Sequence, residues 1–316
     1  MAWLQQSAWI TFGAAALFGT GGCEVQSCKN GDGQDATCFK SEKRYEIENG
    51  EIEPAPLPYT AGTDVTVHGV YGKIRVVEGN PGEVSVRFDP FTYRAYDAEA
   101  AARDELENKF DYVFEDTGSI LAASGRHDSS NGLGADITLW LPPEFDAALV
   151  LKNDSDGPLN PGNVVADYVG GAVSVEVSTD SLGDCTVAGA PSVTLTTARC
   201  DGKITVKNVA DQLDIASKGL SGDIAVTLAE LASTGGGTVR SEDGDVTVSF
   251  PSGASFAVQA RASTEGEVKA STLDAACAGD VAAKTAKSYT CGDGGPLFVV
   301  TAGTDDSGPS SVNLKY

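Results

Sequence analysis

One short phrase returns five times between residues 181 and 268 of this chain. It consists of glycine, a polar residue and a short β-branched alternation, and it begins at Gly183, Gly202, Gly222, Gly244 and Gly266. These glycines are 19, 20, 22 and 22 residues apart. Glycine tolerates positive φ at a corner, and the alternation that follows suits an extended strand. A spacing of about 20 residues is typical of a solenoid, whose repeats bury their apolar sides by stacking. The repeat therefore predicts an all-β chain that forms a parallel β-helix, or solenoid, with rungs of about 20 residues.

The composition agrees with this prediction and excludes one class of partner. Glycine accounts for 37 of the 316 residues and aromatic residues for only 7%, which suits small corners and thin aliphatic interiors better than the aromatic core of a compact enzyme. The formal net charge is −23. Such a surface repels phosphate backbones, so we expect no nucleic-acid partner. It can attract cations or basic partners, although a merely solvated surface is the simpler interpretation.

The first 22 residues are apolar or small, carry no charged side chain and end just before Cys23. The run is short for a membrane span. Gly21-Gly22-Cys23 resembles the end of a bacterial lipoprotein signal, in which small residues precede a lipidated cysteine. Two features depart from that pattern: no basic residue precedes the apolar run, and Thr20 stands where leucine is usual. We predict a signal peptide at 1–22, lipidation of Cys23 and export to the cell envelope through a lipid anchor, with ordinary secretion or a misassigned start codon as alternatives.

The cysteine count is consistent with an oxidising compartment. The chain has seven cysteines, and six remain if Cys23 carries lipid. Six cysteines allow 15 pairings, so pairing between nearest neighbours is a hypothesis. Stacked strands lie about 4.8 Å apart, which is within disulfide reach for cysteines on successive rungs. The three predicted local pairs are Cys28 with Cys38, Cys185 with Cys200, and Cys277 with Cys291.

Three regions follow from the order of these features. Residues 23–58 form a polar tether that ends in alternating prolines, which favour an extended spacer, and residues 59–316 form the solenoid domain. Asp97 to Phe110 is the one segment that predicts a helix, placed across the rungs or over the open first rung, where unpaired backbone needs a cover. Trp140 is the only tryptophan after residue 22, and its strand is stopped by Pro142 and Pro143.

No motif in the sequence predicts a cofactor or a catalytic centre. Asp223, Asp243 and Asp245 lie beside repeat glycines, where stacking would bring carboxylates about 5 Å apart. They are weak candidates for calcium binding, and solvated corners are the simpler interpretation. The run His127-Asp128-Ser129-Ser130 is a poor catalytic triad, because triad members converge from separate elements. Walker, Rossmann and zinc motifs are absent from the sequence.

A family resemblance rests on two of these features: the Gly-Asp-Ile/Val-x-Val phrase, and the strand from Ile137 that ends at Pro143. In both respects residues 64–316 resemble the adhesin-like β-solenoid family of bacteria, much of which is classed as domains of unknown function. The resemblance implies a parallel β-helix on an exported or membrane-anchored protein and brings no catalytic motif. The helix at Asp97 to Phe110 and the cysteines depart from the family pattern.

The resulting functional prediction is a non-enzymatic one. We expect a lipid-anchored surface module with a structural or adhesive role, which presents a long rigid face to a protein or glycan partner. The alternative is a carbohydrate-active or carbohydrate-binding β-helix. Such proteins place aromatic residues beside acidic clusters in a groove, and the regular rungs here contain almost no aromatic residues.

Overall fold

The structure is a computed structural model that describes most of the chain after residue 23. The described residues are 24–29, 35–40, 45–47, 50–70, 72–92, 95–96, 99–108, 110–124, 133–154, 162–179, 184–188, 192–197, 204–209, 212–217, 222–229, 231, 235–304 and 308–316. Within them, no helix is both long enough and apolar enough to cross a membrane.

The described residues are mostly strand. The strands are β1 (Glu24–Lys29), β2 (Asp35–Lys40), β3 (Tyr45–Glu46), β4 (Leu57–Pro58), β5 (Val65–Gly69), β6 (Ile74–Glu78), β7 (Glu83–Thr92), β8 (Ala95–Tyr96), β9 (Tyr112–Asp116), β10 (Ile120–Ser124), β11 (Leu133–Leu141), β12 (Ala148–Asn153), β13 (Val164–Ala166), β14 (Ser174–Thr179), β15 (Cys185–Ala188), β16 (Ser192–Thr197), β17 (Ile204–Val209), β18 (Gln212–Ser217), β19 (Ile224–Leu228), β20 (Gly236–Ser241), β21 (Val246–Ser249), β22 (Phe256–Ala262), β23 (Val268–Lys269), β24 (Ala278–Ala283), β25 (Ala286–Cys291), β26 (Leu297–Ala302) and β27 (Val312–Lys315). The two helices are α1 (Glu99–Asn108) and α2 (Ser271–Ala276).

Two open, mixed sheets of 12 strands each contain most of these strands, and β1, β2 and β8 form a third, small sheet. Sheet I has the order β24-β25-β22-β26-β20-β18-β16-β14-β12-β5-β10-β9. Sheet II has the order β23-β27-β21-β19-β17-β15-β13-β6-β11-β7-β3, with β4 also paired to β7. The predicted β class is confirmed at this level, and the finer prediction of a solenoid is taken up as a proposal below.

The strands predicted from the repeat are present and stack in register. Each of β15, β17, β19, β21 and β23 begins two residues after a repeat glycine. In sheet II, Cys185 lies opposite Ile204, Ile204 opposite Ile224, and Ile224 opposite Val246, all in parallel. A second strand lies between successive repeat glycines, namely β16, β18, β20 and β22. The regular spacing in the sequence therefore corresponds to a regular parallel register.

We use the word rung for two consecutive strands, the first in sheet I and the second in sheet II. Among the described strands the rungs are stacked in the same order in both sheets: β10/β11, β5/β6, β12/β13, β14/β15, β16/β17, β18/β19, β20/β21, β26/β27 and β22/β23. This order differs from chain order at both ends. Although β26 and β27 are the last strands of the chain, they lie between two earlier rungs, β20/β21 and β22/β23. Val312 consequently pairs with both Val246 and Val268.

Antiparallel strands and helices cover the two ends of the array. At one end, β7 pairs with β11 and β9 with β10, and α1, which buries Ala102 and Leu106, contacts β7. This helix lies within the predicted range 97–110. At the other end, β24 and β25 add antiparallel strands beside β22, and α2 buries Leu273. The second helix corrects the expectation of a single one; at six residues it is too short for an apolar period to show in the sequence.

The inward side chains of both sheets form one continuous hydrophobic core. In sheet II one inward row is almost entirely aliphatic and is fully or nearly fully buried along the stack: Ile74, Val164, Cys185, Ile204, Ile224, Val246, Val312 and Val268. Buried aromatic rings lie toward the ends, where Phe88 contacts Phe110, and Phe250 stacks on Phe256 at 3.9 Å between ring centroids. Thin aliphatic residues thus fill the regular rungs, as the composition predicts.

Candidate binding groove

A groove of about 600 Å³ opens on the outer surface of sheet II, near the end covered by α1. One side is formed by Trp140 and the other by the chain segment that runs from Glu53 to Pro56. Its remaining lining residues are Glu78, Gly79, Asn80, Glu83, Ser85 and Val86. These residues come from three separated parts of the chain, and the sheet brings them together.

The position of Trp140 follows from strand alternation. In β11 the residues on either side, Leu139 and Leu141, are fully buried, so the intervening tryptophan points outward and remains partly exposed. It lies opposite Ser85 of β7, whose small side chain leaves room beside the indole ring. Gly79 follows β6 at the same edge, and a side chain there would crowd the Cβ of Trp140 at 2.7 Å.

The opposite wall belongs to the predicted tether, which here lies along β7. Ile52 and Phe88 exchange two backbone hydrogen bonds of 2.9 Å, and Leu57 pairs with Val84. Between these two contact points, residues 53–56 pass beside β7 without further pairing in the described ladder. Proline lacks the N–H that a ladder needs, so the Pro-Ala-Pro run leaves the sheet edge open here. The domain boundary at residue 58 stays a prediction.

The tether is held beyond the groove by a second contact. The hydroxyl of Tyr59 donates a hydrogen bond of 2.7 Å to Oδ1 of Asp146, and the N–H of Gly62 donates to the same oxygen at 2.8 Å. These two donors lower the pKa of Asp146, the tyrosine hydroxyl contributing most. The ring of Tyr59 packs on Phe145 with 5.5 Å between centroids. The proline wall is therefore fixed at both of its ends.

The groove carries an excess of negative charge. Glu53 and Glu78 are exposed, and Glu83 accepts a 2.7 Å hydrogen bond from Nδ2 of Asn80. Burial raises the pKa of Tyr168, and the negative charges of Glu78 and the neighbouring Glu144 raise it further. The charge of Glu78 therefore also acts on a residue outside the groove. In the described part of the chain, no salt bridge engages Glu53, Glu78 or Glu83.

A basic group close to Trp140 on the same sheet is already neutralised. The guanidinium carbon of Arg87 lies 5.8 Å from the centroid of the indole ring, in a cation–π arrangement. The same guanidinium pairs with Asp89 at 3.1 Å. Burial raises the pKa of Asp89, and the charge of Arg87 opposes that rise. Arg87 thus orients the indole, while its charge is balanced by its own carboxylate.

The repeat corners serve stacking between rungs. Gly222, Gly244 and Gly266 are described, whereas Gly183 and Gly202 lie outside the described residues. A Cβ on Gly244 would overlap the carbonyl oxygen of Gly222, and one on Gly266 would overlap that of Ser310. At these corners glycine is therefore required by close approach of neighbouring backbones.

The aspartates after these glycines form hydrogen bonds between rungs. Oδ1 of Asp223 accepts the backbone N–H of Asp245 at 3.0 Å, and Oδ1 of Asp245 accepts that of Ser311 at 2.6 Å. Asn163 does the same for Asp184 at 2.9 Å. Asp243 contributes its backbone carbonyl, which accepts a hydrogen bond from the hydroxyl of Ser310. Among the described residues, no three His, Cys, Asp or Glu side chains are grouped so that they could hold a metal ion. The calcium hypothesis for Asp223, Asp243 and Asp245 stays untested.

The structure describes the predicted cysteine pairs to different extents. Cys277 and Cys291 form a disulfide, as predicted. Cys185 is disulfide-bonded as well, while its predicted partner Cys200 lies outside the described residues. For the first pair, β1 and β2 are antiparallel neighbours, with Cys28 opposite Ala36 and Cys38 opposite Gln26. Both that pairing and the lipidation of Cys23, a residue outside the described range, stay predictions.

Comparison with known proteins gives two solved structures at low similarity. A candidate cell adhesion protein from Clostridium sporogenes is 14% identical, with a TM-score of 0.30, and the match covers 84% of this chain and 98% of that chain. A candidate adhesin from Parabacteroides distasonis is 12% identical, with a TM-score of 0.35, over 84% and 96% of the two chains. No family model and no curated protein matches the chain.

Sequence reasoning did not predict the groove, although it singled out Trp140. The alternation in β11 was sufficient to place the indole on the outer face of the sheet. The opposite wall could not be found in the same way, because nothing in the Pro-Ala-Pro run indicates the strand beside which it lies. The contact that fixes this wall is also hidden in the sequence, because Tyr59 and its partner Asp146 are 87 residues apart.

Proposed function

We propose that this chain is an exported β-solenoid of the cell surface with a non-enzymatic, adhesive role. The observation that supports it best is the identical stacking order of the rungs in both sheets, with parallel register through the regular part. A stack of this kind is stiff and presents a continuous outer surface, since each rung is fixed by two neighbours. Lipidation of Cys23 would attach it to a membrane, and the groove at Trp140 would contact the partner.

Carbohydrate binding is the second candidate, and the indole ring of Trp140 in the groove is the observation that favours it. An indole ring beside carboxylates is an arrangement that can hold a sugar ring, with the apolar face on the indole and the hydroxyls on acceptor oxygens. The proposed adhesive role includes binding to a glycan partner. Cleavage of a glycan would require more, namely a pair of carboxylates that act as acid and base on one bond.

An attachment assay tests the adhesive proposal. The full chain would be expressed in a bacterial host, and cells carrying it would be compared under flow with cells carrying an empty vector. Surfaces would be coated with a panel of proteins and polysaccharides. We expect protease treatment of intact cells to remove the chain and to abolish any attachment that it confers. Protection of the chain from the protease, or equal retention of both cell types on every surface, would contradict the proposal.

A turnover assay separates the adhesive role from an enzymatic one. The same polysaccharides, including acidic ones, would be incubated with the purified chain and analysed for new reducing or unsaturated ends. We expect none. Accumulation of such ends, abolished by a substitution in the groove, would replace the adhesive role with a carbohydrate-active one.

The lipid anchor has a test of its own. Growth of the expressing host with labelled palmitate should label the chain, and Cys23→Ala should abolish the label while Cys28→Ala retains it. A chain that remains unlabelled but is released to the medium would indicate ordinary secretion.

A further inference from the structure

We propose that the groove at Trp140 is a docking site for a basic segment of a partner protein, with a lysine or arginine side chain laid along the indole ring. The inference rests on the proposed adhesive function and specifies its partner. Its evidence is the shape of the groove and the balance of charge and hydrogen-bonding groups along it.

The shape suits a long side chain with an apolar stem and a charged end. Between Trp140 and the segment 53–56, Ser85 is the only polar lining residue with a short side chain. The walls, an indole ring and two prolines, are apolar and separated by the width of β7. Lysine and arginine cover apolar surface with their methylene groups while the charged group reaches polar partners.

The charges that line the groove select a cation. Glu53, Glu78 and Glu83 supply acceptors only, and none of the salt bridges among the described residues involves them. An aromatic face together with carboxylates is the arrangement that recognises ammonium and guanidinium groups. Arg87, which lies near the indole, is balanced by Asp89 and does not oppose such a ligand.

A neutral sugar fits these groups less well. Sugar hydroxyls donate and accept, so a site for sugars normally offers both kinds of partner. Among the lining side chains, the amide of Asn80 already donates to Glu83. The donors that remain among the lining side chains are the second N–H of that amide, the hydroxyl of Ser85 and the indole N–H, beside three carboxylates. Electrostatics adds to the difference, because the net charge of −23 attracts basic segments over a distance and leaves neutral glycans unaffected.

Fluorescence of Trp140 provides a direct test. The sequence carries Trp3, Trp9 and Trp140, so the variant W3F/W9F, purified in mild detergent, leaves Trp140 as the only tryptophan whether or not residues 1–22 are removed. We expect tetralysine to change its emission to saturation, and added salt to weaken the binding. In the same background, E78Q/E83Q should weaken tetralysine binding about tenfold, since two exposed ion pairs are lost. The amide oxygen introduced by E83Q can still accept the hydrogen bond from Asn80, so the fold should be retained, as a thermal melt would verify.

A matched variant distinguishes docking from general attraction. E115Q/E176Q removes the same charge from exposed positions on sheet I and should change tetralysine binding by less than about twofold. Equal weakening by both variants, or emission that stays constant at millimolar tetralysine, would overturn the inference. A response to an uncharged tetrasaccharide without one to tetralysine would assign the groove to sugars instead. Attachment of cells in the flow assay would remain unaffected by these failures, so the adhesive role is tested separately.

Discussion

Single side chains at the corners connect one rung to the next. Asp223, Asp245 and Asn163 each accept a backbone N–H from the adjacent rung. This N–H belongs to the residue just before a strand, and it would otherwise lie at a bend without a partner. The recurrence of aspartate after glycine in the repeat is explained by this hydrogen bond. Asn163 performs the same task without charge, so the acceptor oxygen is the essential feature.

Substitution of Asp245 separates hydrogen bonding from charge. We expect Asp245→Asn to keep the free energy of unfolding close to that of the parent, since the amide oxygen can accept from Ser311. Asp245→Ala should lower it by about 0.5–1.5 kcal/mol, because the exposed N–H of Ser311 then exchanges this hydrogen bond for one to water. Urea unfolding of the two variants, with and without calcium, measures this. A loss in D245N equal to that in D245A, or stabilisation of the parent by calcium, would mean that the negative charge is required.

Gly244 tests the close approach of backbones at a corner. Gly244→Ala should lower the free energy of unfolding by about 2 kcal/mol or more, because the new Cβ overlaps the carbonyl of Gly222. Gly308 provides the control, since a Cβ there has no atom within 4 Å. Gly308→Ala should therefore stay within about 0.5 kcal/mol of the parent in the same urea titration. Similar values for the two variants would show that the corner can open to admit a side chain.

The contact between Tyr59 and Asp146 predicts a dependence of stability on pH. The pKa of Asp146 is lowered in the folded chain, so its stabilising contribution is present above its ordinary pKa and is lost as the pH falls through the folded value. Tyr59→Phe removes the main donor. The stability difference between parent and Y59F should therefore be larger at neutral pH than in acid, as measured by urea unfolding at each pH. Tyr168→Phe is the control, because that hydroxyl donates to the carbonyl of Pro143; a pH-independent effect of Y59F would contradict the assignment.

At the scale of elements, the two ends of the array are built differently from its middle. The regular rungs carry β-branched residues and parallel pairing, whereas the ends add antiparallel strands, aromatic contacts and a helix. An open sheet edge invites pairing with another chain. The outermost strands are β9 and β3 at one end and β24 and β23 at the other. Of these, β3 and β23 contain only two residues each, and very short edge strands limit pairing with another chain.

The disulfide at the end that carries α2 should contribute most to that end. Cys277 and Cys291 are 14 residues apart and join the start of β24 to the end of β25. Closing a loop of this length is worth about 3 kcal/mol in the unfolded-chain model. C277S/C291S should lower the free energy of unfolding by about that amount and speed hydrogen exchange in β24 and β25 first. Uniformly faster exchange along the whole array would show that the disulfide acts globally.

How far the elements could be predicted depends on whether their signal is local. The strands after the repeat glycines, such as the one that begins at Ile224, are encoded by adjacent residues and were predicted. The order of the rungs depends on how the inward aliphatic side chains of neighbouring rungs pack together. Val312 and Val268 are the same residue type, so the sequence does not indicate which of them lies next to Val246. The second wall of the groove also depends on a distant partner, because residues 53–56 are positioned by Phe88, Val84 and Asp146. Local patterns therefore predict the strands, but they predict neither the order in which the rungs stack nor the groove.

At the scale of the molecule, the inserted rung β26/β27 connects the regular array to its last rung. Val246 and Val268 lie on opposite sides of Val312, and the next inward residue, Leu314, is also buried. Among the described strands, β23 is paired within sheet II to β27 alone. Stability of the last rung is consequently coupled to this segment, as nearest-neighbour stacking requires.

Leu314→Asp tests this coupling. A buried, unpaired carboxylate should cost about 3 kcal/mol or more, and hydrogen exchange should become faster in β22 and β23 while β12 to β17 remain protected. Asn313, which alternates with it and points outward, gives the matched control N313D, expected within about 0.5 kcal/mol of the parent. Unchanged exchange in β22 and β23 in L314D would show that the last rung is stable without its inserted neighbour.

The position of β26/β27 also constrains the route by which the chain acquires its structure. These strands are synthesised after β22 and β23, yet they occupy the space between those strands and β20/β21. While the ribosome is still adding residues, the rungs from β12 to β21 can assemble one after another. The next position in the stack stays empty until β26 and β27 have been synthesised. A chain kept extended until translocation is complete would meet no such obstacle, because all of its segments become available together.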